Sequence, residues 1–104
     1  MSNETISARE SEQSSAKTKQ PAAGSFDFGD TGVRIHADHN LDSTVLGEGN
    51  PGDGATLLEV ELNGQFVVVS CNRPDGSSEW DKVTNDKTGV TGWVVACFIV
   101  PRSA

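Results

Sequence analysis

The chain has 104 residues, with 15 acidic against 8 basic side chains and a formal charge of −7. Residues 1–24 hold three of each sign, so the whole deficit falls on residues 25–104, where only Arg34, Arg73, Lys82, Lys87 and Arg102 oppose it. Nucleic-acid binding runs on Lys and Arg displacing condensed counterions, so this balance excludes nucleic acid and anionic membrane surfaces as main partners. No stretch reaches the roughly 20 apolar residues of a spanning helix, so no membrane insertion is expected.

Residues 1–24 are rich in Ser, Glu, Gln, Lys, Thr and Ala. Such a segment cannot bury enough apolar surface to offset the entropy of ordering it, and it is expected to be a disordered N-terminal tail. Residues 25–104 remain as one domain of about 80 residues, near the lower limit for a lone core. Residues 2–20 contain only Ile6 as a large apolar side chain. They carry no signal-peptide pattern, which places the chain in the cytoplasm unless a leader was removed.

From Ser25 onward short β-type runs alternate with clusters of Gly, Pro, Asn and Asp, and no window keeps a helical period. Val33 and Ile35 alternate with polar neighbours. Leu58, Val60 and Leu62 alternate with Glu59 and Glu61, which predicts a half-buried strand with its glutamates in water. Asn63-Gly64 then predicts a tight hairpin turn into a strand over 65–69, apolar on both faces at Val67, Val68 and Val69. A polar loop around Pro74-Asp75-Gly76 follows. Strands over 80–84 and 90–95 flank a turn over 85–89, and Phe98, Ile99 and Val100 close the domain before Pro101. The expected fold is all-β, a small barrel of five to six short strands.

Three stretches carry a resemblance. Residues 32–47, GVRIHADHNLDSTVLG, are similar to the opening strand and long loop of the bacterial Src-homology-3-like (SH3b) family in its actinobacterial form. Residues 49–54, GNPGDG, resemble that family's next turn. Residues 80–83, WDKV, followed by 88–94, TGVTGWV, resemble its W-x-[KR]-V and T-G-x-x-G-W-V motifs, with Phe98-Ile99 where Tyr-Leu is usual. The resemblance implies an SH3-like barrel that acts by binding, without cofactors, and that takes a peptide in a cell-envelope polymer or on a protein partner. His36 stands where the family carries Arg, Asp38-His39 where it carries Gly-Pro, no Tyr is present, and an insertion lies between Asp53 and Trp80. The altered loop makes His36, Asp38 and His39 candidate ligand-binding residues. Trp80 joins them as a partly exposed platform, with Trp93 mostly in the core.

Catalytic readings are weak. His36, Asp38 and His39 have the chemistry of zinc ligands, but residues three apart on a strand face opposite ways and no second ligand cluster accompanies them, so no metal site is expected. Cys71 and Cys97 either form one disulfide or remain as buried thiols, and apolar burial would disfavour the thiolate a nucleophile needs. Their positions, one closing the strand over 65–69 and one following the Trp93 strand, predict that they lie close in space. Glu59 and Glu61 share an exposed face with no enclosing cleft, and Gly47-Glu48-Gly49 and Gly52-Asp53-Gly54 place acid where a phosphate would sit. The expected function is therefore a non-catalytic binding module for a peptide or protein ligand. The alternative is a structural or regulatory domain whose acidic surface docks on a basic protein.

Overall fold

The computed structural model describes residues 25–102, and the expected tail at 1–24 lies outside them. Seven strands form one antiparallel sheet: β1 (Phe26–Phe28), β2 (Val33–His36), β3 (Val45–Gly49), β4 (Ala55–Glu61), β5 (Trp80–Asn85), β6 (Thr91–Val95) and β7 (Ile99–Pro101), in the order β3-β2-β6-β5-β4-β1-β7. Two 3-10 turns, at Ser70–Asn72 and Ala96–Phe98, complete the described chain. The architecture is all-β, as the sequence predicts, but with seven strands in place of five or six.

One face of the sheet carries the main core. Phe28 of β1, Val33 and Ile35 of β2, Ala55 of β4, Val83 of β5 and Val94 of β6 form a single buried cluster. Strands near both ends of the sheet order supply it, so the sheet curls around its own side chains into a barrel-like shell. Gly92 permits that curl. A Cβ at Gly92 would press on the His36 carbonyl and on Ile35, so β2 and β6 cross closely only because no side chain is there. The turn over 85–89 forms as predicted, with the buried Asn85 Oδ1 accepting from Lys87 N (2.9 Å) and Thr88 N (3.1 Å). Its Nδ2 reaches across to the Glu48 carbonyl at 3.1 Å, tying β5 to β3. Asp27 anchors the 52–54 turn by accepting from Gly52 N, Gly54 N and Phe28 N. Burial pushes its carboxyl up, but those backbone donors and nearby Arg102 outweigh it and hold the group below its ordinary range.

Four local predictions are overturned. No strand forms over 65–69; Val67 makes one isolated bridge to Ser77, and β4 pairs with β5 instead. The chain does turn at Leu62 and Asn63, but Gly64 is not at a positive φ, so the tight two-residue Asn-Gly hairpin is absent. The absence of a side chain matters there for packing, since a Cβ at Gly64 would collide with the Trp80 ring and crowd His39. Leu58, Val60 and Leu62 are exposed, although the alternation placed them inward. The register shifts between Leu57 and Glu59, leaving Leu58 as the extra residue of a bulge; beyond it Val60 pairs with Asp81 on the main-core face, but near its open end, where it remains exposed. Pro101 does not stop the last strand but belongs to β7, paired with Phe26 at the edge of the sheet, where no further N–H donor is needed.

The pairing of β5 with β6 places alternate rows on opposite faces. Trp80 and Val95 point away from the main core and nucleate a second cluster with Val67, against which Val69, Trp93, Cys97 and Phe98 pack. Trp80 is 0 % exposed and Trp93 only half-buried, the reverse of the sequence reading. The cause is residues 62–79, which fold back over the Trp80 row: Gln65 N donates to the His39 carbonyl at 3.0 Å, and Trp80 Nε1 donates to the Gln65 carbonyl at 2.9 Å. The row below, Asp81 with Val94 on one side and Val60 on the other, faces the main core near its open end. Asp81 is 7 % exposed, and its Oδ1 has no hydrogen-bond partner.

Candidate binding groove

Arg34 and His36 alternate on β2 and so share one of its faces. The loop after β2 is wound tightly on itself: Ser43 Oγ donates to the Asn40 carbonyl at 2.7 Å, and Asp38 Oδ1 accepts from His39 N at 2.8 Å. Leu41 N donates to Gln65 Oε1 at 2.7 Å, which joins this loop to the covering segment. The result brings Leu41 and Val45 together with Val33, Val69, Val95 and Phe98 around a groove of about 440 Å³. Asp30, Thr31, Arg34 and His36 supply its polar groups. An apolar trough with a few polar groups is the usual form of a small-ligand or peptide site.

Of the four ligand-binding residues expected from sequence, only His36 lines this groove. It is 6 % exposed, with Nδ1 3.3 Å from the Ser43 carbonyl and its ring edge-on to Trp80 at 5.8 Å. His39 lies on the Trp93 side, with its ring edge-on to that indole at 5.1 Å. Asp38 is exposed beside it, Oδ1 3.4 Å from His39 Nε2. Trp80 is sealed beneath Gly64 and Gln65 and offers no surface to a ligand, so it is a core residue rather than a platform. The residues missed are Leu41, Val45, Val69 and Phe98. Leu41 and Val45 carried a signal, being the large apolar side chains of an otherwise polar loop.

Cys71 and Cys97 lie close in space, as predicted, joined in a disulfide with their Cα atoms 5.8 Å apart. Neither is a thiol, and Cys71 is exposed rather than buried. The bond links the 3-10 turn after Val69 to the 3-10 turn that carries Phe98, so it ties two walls of the groove together. Among the described residues no three His, Cys, Asp or Glu side chains converge as metal ligands do. Comparison with protein-family models, with curated proteins and with solved structures gives no match.

Proposed function

We propose that the domain is a non-catalytic binding module of the bacterial SH3-like type, taking a peptide of a cell-envelope polymer or of a protein partner into the groove over β2. The observation that carries the reading is the groove itself. Its apolar side chains Leu41 and Val45 stand exposed beside the polar groups of Asp30, Thr31 and Arg34, and exposed apolar patches set in a concave, partly polar trough of this kind mark interaction sites. Arg34 and Asp30 at its rim supply one charge of each sign to orient a peptide backbone and its termini. The motifs at 32–47, 80–83 and 88–94 support the family assignment, and the Cys71–Cys97 bond fits an oxidising compartment such as the cell envelope.

Sedimentation with purified peptidoglycan sacculi tests the reading. The protein is expected to co-sediment, and Leu41→Asp with Val45→Asp is expected to reduce the bound fraction about tenfold, a loss of about 1.4 kcal/mol. Both side chains are exposed, so the variant retains its fold. Binding that survives the double variant yet collapses between about 0.05 and 0.3 M salt would instead identify docking of the acidic surface on a basic partner.

A further inference from the structure

Residues 66–77 form a strap over the Trp80 row and are held to the barrel in an unusual way. Apart from Ser77 Oγ, which accepts from the nearby Glu79 N at 3.0 Å, their hydrogen bonds among the described residues stay within the strap: Val67 with Ser77 in both directions at 2.9 Å, Asn72 N to the Val69 carbonyl at 3.0 Å, Val69 N to Asn72 Oδ1 at 2.8 Å, Asn72 Nδ2 to the Val67 carbonyl at 3.4 Å, and Gly76 N to the Asn72 carbonyl at 2.8 Å. The strap's hold on the rest of the domain consists of the inward side chains Val67 and Val69 and the Cys71–Cys97 bond. Phe66 and Val68 point the other way, 61 % and 53 % exposed, and contribute nothing to that hold. Two aliphatic side chains are a weak anchor for twelve residues whose ordering entropy must be offset. The disulfide therefore carries much of the task.

We propose that the Cys71–Cys97 disulfide is a redox latch on the groove: reduction frees the strap, removes the Val69 wall and lowers ligand affinity while the barrel stays folded. The inference concerns regulation and rests on the groove being the binding site. Cys71 is exposed, so a dithiol reductant can reach it. One reductant thiolate attacks Cys71 Sγ, the sulfur–sulfur bond breaks, and Cys97 leaves as a thiolate that takes up a proton. The second reductant thiolate then displaces Cys71, which takes up the other proton, and the reductant ends as a disulfide. Two electrons and two protons pass to the protein. The main core on the other face of the sheet contains neither cysteine, which is why the barrel survives the exchange.

Amide hydrogen exchange on the oxidised protein and on the protein held in dithiothreitol tests the latch. The amides of Val67, Val69, Asn72, Gly76 and Ser77 are expected to exchange at least about tenfold faster after reduction, while those of β5 and β6 change less than about twofold. The Cys71→Ser, Cys97→Ser double variant should match the reduced protein and not respond to dithiothreitol. Unchanged strap protection, or loss of β5 and β6 protection together with it, overturns the latch. The same samples go onto purified sacculi. Sedimentation of the oxidised form alone supports gating, and equal sedimentation of both forms refutes it. A strap that opens on reduction in a protein that sediments in neither state leaves the latch standing and overturns the sacculus as the ligand.

Discussion

Trp80→Ala is expected to leave the domain largely unfolded at room temperature, whereas Trp93→Ala should retain a cooperative melt. Trp80 is the largest fully buried side chain, it joins β5 to the covering segment through its bond to the Gln65 carbonyl, and His36 and Gly64 pack on its ring. Removing a buried Trp costs about 3 to 5 kcal/mol, which is most of the stability of so small a domain. Trp93 is half-buried on the same face and touches His39, so its loss costs about 1 to 2 kcal/mol. Circular dichroism melts of the two variants decide the matter. A near-normal melt for Trp80→Ala, or unfolding caused by Trp93→Ala alone, contradicts the packing described above.

Stability is expected to fall as the pH rises from about 4 to 7, in contrast to the usual carboxylate behaviour, and Asp81 is the reason. Burial, reinforced by the negative charge of Glu79, raises its carboxyl from the ordinary 3.8 to about 7. The folded domain therefore keeps the proton up to about pH 7, while the unfolded chain releases it near 3.8. Between those limits the native state binds more protons, so stability is full below the unfolded value and is lost as the pH climbs through the folded one. A shift of that size has a ceiling of about 4 kcal/mol, which partial solvation reduces to about 2. Asp81→Asn keeps the shape of the neutral acid. It should match the wild type near pH 3.5 and exceed its melting temperature by roughly 8 to 16 °C at pH 8. Equal melting temperatures at pH 8 would show that the carboxylate finds a partner on ionisation.

What the sequence made legible was local. The strands now seen as β5 and β6, and the turn between them, follow from alternation and from Asn85 and Gly89, because those signals act within a few residues. β1 has three residues, and its identity as a strand depends on pairing with β7 at the far end of the domain, which no local pattern announces. The bulge at Leu58 was invisible because alternation continues unbroken through it in sequence while the register in space does not. The exchange of roles between Trp80 and Trp93 has a similar origin. Both sit on one face of the sheet, and only the path of residues 62–79 decides which is covered. The candidate site was half legible: His36 was found through its place in a family-like loop, but its neighbours Val69 and Phe98 arrive from distant segments joined by the disulfide.

The most direct test of the groove as the binding site is nitrogen-15 chemical-shift mapping of the oxidised protein titrated with soluble peptidoglycan stem peptides. The described geometry predicts saturable shifts at Arg34, Leu41, Val45, Val69 and Phe98, the groups that surround the trough. Shifts centred on Asp38, His39 and Trp93 would place binding on the other side of the loop. That result, or none at peptide concentrations of about 1 mM, would contradict the groove as a cell-wall peptide site.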